Sequence, residues 1–291
     1  MFVRILKQLF RGAAVAVPAG FVGPVLAQDN IRGLEAIGKP VPDGVNFQPP
    51  VTELARDLIW LDNFLLVIIT LISLFVVGLL IFVAFRYNER TNPVAARFTH
   101  NTPIEIAWTV IPVIILLVII PPSLSLLFKQ MRIPDAEVTI KATGNQWYWT
   151  YEYVDHEFEF DSFMLEREQL AEFGYADDEY LLATDTAVVI PVDRTVVVQV
   201  TASDVIHAWT IPAFGVKQDG VPGRLAELWF RADQEGLYFG QCSELCGKDH
   251  SYMPITVKVV GEDVYEQWLD RMIEEYAAAP GEAEPLVVAS N

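Results

Sequence analysis

Two stretches of unbroken apolar sequence constrain this chain more than any other feature. Residues 63–85 carry no charged side chain over 23 positions, and residues 106–128 repeat the pattern over another 23. At helical rise each run is about 34 Å long, enough to cross a bilayer core of about 30 Å. Asp62 and Arg86 bracket the first run, and Lys129 ends the second. Helices inside soluble domains are seldom apolar for so long, so both runs are expected to span a membrane. A hydrophobic content of 52% and a mean hydropathy of +0.31 agree with that reading.

The ends of the chain set the orientation. Arg4, Lys7 and Arg11 precede a stretch rich in small apolar residues that closes on Val25-Leu26-Ala27. That is the pattern of a secretory signal, expected to cover residues 1–27. Residues 28–57 then form an extracytoplasmic arm, rich in Gly and Pro over 28–50, and 58–129 a helical hairpin. The link between the spans carries Arg86, Arg90 and Arg97, which suits the cytoplasmic side. Everything after Lys129 is therefore expected outside the cytoplasm. Thr102-Pro103-Ile104-Glu105 reads as a capping box with proline at the first helical position. Pro112 and the pair Pro121-Pro122 are expected to bend the second span.

Beyond Pro134 the periodicity changes. Short β-rich runs at 137–142, 146–154, 187–192, 195–201, 227–231, 237–241 and 255–260 are separated by turn residues, as in an all-β Greek-key sandwich. A terminal helix is expected at 263–278, a long acidic surface loop at 161–186, and a disordered tail at 279–291. The domain thus covers 130–278. From Gln130 onward 30 acidic residues face 10 basic ones, whereas the first 129 residues have 8 against 10. Such a surface repels nucleic acid and speeds encounter with a cationic partner.

The chemistry concentrates in one loop. Cys242-Ser-Glu-Leu-Cys246-Gly-Lys-Asp-His250-Ser-Tyr-Met253 places two thiols, an imidazole and a thioether within twelve positions, and His207 lies upstream in Asp204-Val-Ile-His207-Ala-Trp209. Soft sulfur donors with borderline imidazoles favour copper over magnesium, calcium or manganese. Structural zinc needs four donors and has little use for methionine. Five donors exceed one tetrahedral ion and suit two coppers sharing both sulfurs. A disulfide-stapled module without metal and a copper-delivery protein are the alternatives.

These residues carry a family resemblance. Gly240-Gln-Cys-Ser-Glu-Leu-Cys-Gly-Lys-Asp-His-Ser-Tyr-Met-Pro254, Asp204-Val-Ile-His-Ala-Trp209, Gly144-Asn-Gln-Trp-Tyr-Trp149 and Asp219-Gly-Val-Pro-Gly-Arg224 resemble subunit II of bacterial aa3-type cytochrome c oxidases, in the family's order. The resemblance runs from about residue 50 to about residue 275. It implies a membrane-anchored α+β chain: a two-helix transmembrane hairpin, then a cupredoxin-like β domain with a short C-terminal helix. It implies a binuclear copper (CuA) centre in which Cys242 and Cys246 bridge, His207 and His250 each serve one copper, and Met253 and the Glu244 carbonyl are weak axial donors. The Glu244 carboxylate would bind a magnesium or manganese ion shared with subunit I. Trp147 would admit electrons, Glu152 and Asp204, with Asp155 and Glu157 nearby, would dock cytochrome c, and Glu105 would lie at a proton-path entrance. The implied partners are cytochrome c, subunit I, subunit III and the lipid bilayer. Electrons would pass to haem in subunit I, where oxygen is reduced to water with proton translocation. No C-x-x-C-H occurs, so no c-type haem is attached at such a motif. A nitrous oxide reductase shares the copper loop but would need a larger chain and no hairpin.

Overall fold

A computed structural model of the chain describes residues 31–94 and 96–277. The expected signal at 1–27 and tail at 279–291 lie outside the described residues. Two long helices, α1 (Glu53–Arg86) and α2 (Thr102–Met131), form the hairpin. Both expected spans lie inside them, with further turns at the ends. The hairpin therefore begins at Glu53 rather than at residue 58, because Thr52 caps α1 by accepting from the Ala55 amide at 2.9 Å. The apolar side chains of both spans point almost entirely outward, where only lipid or another apolar surface can cover them.

The start of α2 departs from expectation by one residue. The cap is Asn101, whose side chain accepts from the Ile104 amide at 3.3 Å, while Glu105 reaches back to the Asn101 amide at 3.1 Å. Asn caps better than Thr, and the reciprocal carboxylate simply reaches one position further. Pro112, Pro121 and Pro122 lie within a helix that runs unbroken to Met131.

The β domain holds two sheets over one core. In the first, β1 (Ala36–Gly38), β10 (Gly236–Gln241), β11 (Pro254–Val260) and β5 (Val188–Pro191) lie side by side in that order. In the second, the order is β4 (Phe158–Ser162), β3 (Tyr148–Tyr153), β2 (Val138–Asn145), β6 (Val196–Ala202) and β9 (Ala226–Phe230). A separate hairpin joins β7 (His207–Ile211) to β8 (Val216–Gly220). The second sheet alternates buried and more exposed positions along β2 and β4, as expected of a sheet with one wet face. β5 and β11 are buried throughout.

The reason lies in the segment expected to be an acidic surface loop. Residues 161–186 finish β4, form a short helix α3 (Leu170–Phe173), and bury Leu165, Leu170, Tyr175 and Ala183 against Leu237 and Phe239 of β10. It is a lid over the outer face of the first sheet, with most of its charges turned to water and Glu179 and Asp185 buried beneath it. Tyr238, between those two residues, points the other way into the main core. The terminal helix α4 (Glu262–Ala277) supplies Tyr265, Trp268 and Met272 to the same core.

The arm and hairpin are fastened to this domain. β1 pairs in parallel with β10, and a Cβ on Gly38 would stand 2.5 Å from the Tyr238 ring. Thr52 donates to the Phe214 carbonyl at 2.7 Å, and Gly215, at φ +69°, lets the backbone of Ala55 come close. At the other helix, Lys129 pairs with Glu53 and, at 2.6 Å, with Asp57, while Trp229 donates to its carbonyl at 3.1 Å.

Candidate metal centre

Three loops meet at one end of the sandwich. β7 begins at His207, the β10–β11 connection carries Cys242 to Met253, and the β2–β3 turn carries Gln146 and Trp147. Close approach of these backbones needs missing side chains. A Cβ on Gly240 would fall 1.8 Å from the Thr210 carbonyl oxygen, so only glycine lets β10 lie against β7. A Cβ on Gly144 would fall 2.7 to 2.8 Å from His207 Cβ and two atoms of its ring.

The donor atoms converge. The two sulfurs lie 3.8 Å apart, Cys242 Sγ lies 3.8 Å from His207 Nδ1, and Cys246 Sγ lies 3.4 Å from His250 Nδ1 and 3.5 Å from Met253 Sδ. The Glu244 carbonyl oxygen is 3.3 Å from Cys242 Sγ. The sulfurs are free thiols, far beyond the roughly 2.05 Å of a disulfide bond. His207, Cys242, Cys246 and Met253 are all buried. The donor atoms of His207, Cys242 and Cys246 lie within 4.8 Å of one another. Two thiols flanked by imidazole, thioether and carbonyl, shielded from water, fit a copper site and no hard cation.

Electrostatics prepares the thiols unequally. Burial opposes ionisation of Cys242, but hydrogen bonds from His207 and from the backbone at Glu244 and Ala208 outweigh it and hold the thiol below its ordinary value. Burial, then the neighbouring Cys242, pushes Cys246 up. Burial lowers the His207 imidazole less than Cys242 and Asp204 raise it. His207 Nε2 is 2.9 Å from Asp204 Oδ1, which fixes the ring with Nδ1 facing the sulfurs.

Other predicted residues fall into place around this cluster. Trp147 is half-buried and donates from Nε1 to the Cys246 carbonyl at 3.3 Å. It precedes β3 rather than sharing that strand's buried face, which belongs to Trp149 and Tyr151. Glu244 is exposed at the loop tip beside Leu245. Glu105 lies at the far end of α2, across the span from the β domain.

The four acids expected to dock a partner are not gathered into one patch. Asp204 touches the centre. Glu152 lies on β3, paired to Lys141 at 2.7 Å, and Asp155 and Glu157 occupy the turn between β3 and β4. At strand rise, the length of β3 puts that turn about 17 Å beyond Tyr148. Asp161 of β4, opposite Thr150 of β3, accepts from that residue's hydroxyl at 2.6 Å.

Sequence reasoning missed Gln146 and the packing glycines. Gln146 Nε2 donates to the Cys246 carbonyl at 2.8 Å, and its backbone amide donates to Asp204 Oδ2 at 2.8 Å. Lys217 donates to the Ser243 carbonyl at 3.0 Å. The signal lies in Gly144-Asn-Gln-Trp147, beside the tryptophan.

Comparison with known proteins bears on the whole chain. Residues 138–260 match the cytochrome C oxidase subunit II periplasmic domain, and residues 40–126 match the transmembrane domain of the same subunit. "Cytochrome c oxidase subunit 2" of Cereibacter sphaeroides is 54% identical over 267 residues, covering 87% of this chain and 88% of that one. "Probable cytochrome c oxidase subunit 2" of Rickettsia bellii is 48% identical over 232 residues, covering 79% and 85%. The solved periplasmic domain of subunit II of the Bradyrhizobium japonicum cytochrome oxidase is 48% identical, with a TM-score of 0.46, covering 50% of this chain and 99% of its own. The chain crosses the inner membrane twice and carries its β domain on the periplasmic side. Two spanning helices, a β sandwich and a buried sulfur–imidazole cluster thus belong to one architecture, and the chain is a member of the cytochrome c oxidase subunit II family.

Proposed function

We propose that this chain accepts electrons from cytochrome c at a binuclear copper centre and passes them to haem in subunit I, where oxygen is reduced to water with proton translocation. The observation that carries the reading is the convergence of Cys242, Cys246, His207, His250 and Met253, with the Glu244 carbonyl, on one buried spot. In this assignment Cys242, Cys246, His207, His250 and Met253, with the Glu244 carbonyl, would hold the copper pair. Bound there, the pair would supply one-electron acceptance and release.

The chain's own residues do the rest. Asp204 and the backbone around Gly144 hold His207 in place, and burial keeps water from the sulfurs. Trp147 is the point where electrons enter, because its indole reaches from the half-exposed surface to the Cys246 carbonyl. A cationic donor is drawn by the acidic domain, with Asp204 at the centre and Glu152, Asp155 and Glu157 further out. The exposed Glu244 carboxylate is assigned to a magnesium or manganese ion shared with subunit I, since one carboxylate plus waters suits a hard cation. Glu105, at the inner membrane edge, serves as both cap partner and proton-path entrance. Subunit III completes the partner set, and residues 1–27 are removed as a signal.

Stopped-flow mixing of the assembled oxidase with reduced cytochrome c tests this. The copper absorption should bleach before the haem signal rises, and Trp147→Phe should slow that first phase while leaving copper content intact. Haem reduction without prior bleaching would refute the route.

A further inference from the structure

Gln146 grips both halves of the centre. Its side-chain amide donates to the Cys246 carbonyl at 2.8 Å, and its backbone amide donates to Asp204 Oδ2 at 2.8 Å. The other oxygen of Asp204 holds His207 Nε2 at 2.9 Å. One side of Gln146 thus reaches the loop bearing Cys246, and the other reaches Asp204, in the turn that leads into the strand bearing His207.

These two supports come from chain segments far apart. His207 opens β7 and Cys246 lies past β10, and the backbone bond from Ser243 to the Ala208 carbonyl at 3.0 Å also links them. That bond fixes the Cys242 end of the loop only. Among the described residues no backbone bond ties Cys246 itself to another loop, and its carbonyl is held by two side chains of the β2–β3 turn. Of these, Gln146 makes the shorter contact, 2.8 Å against 3.3 Å for Trp147. The following residue is shaped to admit it: Gly247 has φ +130°, and a Cβ there would stand 3.2 Å from Gln146 Nε2 and 3.0 Å from the Trp147 ring.

We infer that Gln146 is a positioning residue for the centre, clasping the Cys246 peptide to the Asp204–His207 pair and setting the electron density on that peptide. This rests on the copper assignment above. A donor on the Cys246 carbonyl draws density from the peptide beside a sulfur ligand, which favours the reduced state of whatever metal the sulfur holds. Partners beyond the ligands themselves commonly change metal retention by 10–100-fold.

The test uses the full-length chain in its oxidase complex, loaded with copper, comparing the parent with Gln146→Ala and Gln146→Glu. The alanine variant removes the donor; the glutamate keeps the shape but replaces the donor with an acceptor. Both should shift the copper midpoint potential downward and alter the hyperfine pattern. Both should also lose copper to a chelator about tenfold faster than the parent. Gln146→Asn, which shortens the reach, serves as a milder variant if either fails to assemble. A merely structural role would lower the melting temperature and leave potential and hyperfine pattern alone, and that result would overturn the assignment. A response to Gln146→Glu alone would overturn it too, since charge and not the lost donor would then be at work. If the parent itself holds no copper pair, the failure lies with the proposed function and not with Gln146.

Discussion

Replacing Gly144 by alanine should disable the metal centre while leaving the fold standing. Gly144 lies on β2 opposite Trp149 and beside Ala202 of β6, so both flanks are occupied. The added methyl would stand 2.7 Å from His207 Cγ and 2.8 Å from Cβ and Cδ2. Carbon contacts are comfortable from about 3.5 Å, so the ring must withdraw by about 0.7 Å. It has nowhere to go: His207 is fully buried, its far nitrogen is held by Asp204, and Trp149 lies edge-on with ring centroids 6.1 Å apart. Overpacking of this kind costs about 1–3 kcal/mol, a fraction of a domain's stability. A metal ligand, by contrast, tolerates displacement of only about 0.2 Å. Denaturant unfolding of the copper-free chain should therefore show a loss of that size. Copper titration should show a parallel loss of the binuclear signal. Gly78, whose Cβ position is open, gives the control substitution to alanine, with no loss at the centre expected. Gly144→Ala with unchanged unfolding and an unchanged copper spectrum would refute the reasoning.

Asp204→Ala removes the acceptor that orients His207 and should weaken copper retention about 10–100-fold in a chelator competition. Thr52→Ala removes the cap on α1 and the bond to Phe214, and should cost about 1–2 kcal/mol in denaturant unfolding. Asp185 offers a test with a definite sign. Burial raises its carboxyl above the ordinary value despite hydrogen bonds from the amides of Phe163, at 2.8 Å, and Thr186, at 2.7 Å. A carboxyl raised in the folded state favours folding when protonated, and that benefit disappears as pH rises through the folded value. Asp185→Asn keeps the acceptor for both amides without the charge, so it should stabilise the domain at neutral pH. The gain should fade below the unfolded value near 3.8, as thermal melts across that range would show.

The features legible in the sequence were those that depend on neighbours in the chain. The two spans follow from unbroken apolar runs, and most core strands from β-branched residues between turn residues. The donor loop follows from the spacing of Cys242, Cys246, His250 and Met253. What stayed hidden depends on distant contacts. β1 is three residues long and exists because the edge of β10 is open to it. The stretch 161–186 reads as acidic loop because its charges outnumber Leu165, Leu170 and Tyr175, whose burial depends on Leu237 and Phe239 far along the chain. β7 and β8 pass too quickly between His207 and Gly220 for alternation to show. The shifted cap at Asn101 is a contest between two adjacent polar residues, decided by a single hydrogen bond. The scattering of Glu152, Asp155 and Glu157 away from Asp204 follows from the length of β3, which proximity in sequence disguises.

The central claim is that these donors hold two coppers sharing one electron. A metal count with an EPR spectrum of the purified chain, prepared with reduced thiols and excess copper and then desalted, tests it most directly. Two coppers per chain, with hyperfine structure from one electron spread over both nuclei, is the result predicted. A single copper with the electron localised on it, or a chain that holds no copper with both thiols reduced, would contradict it.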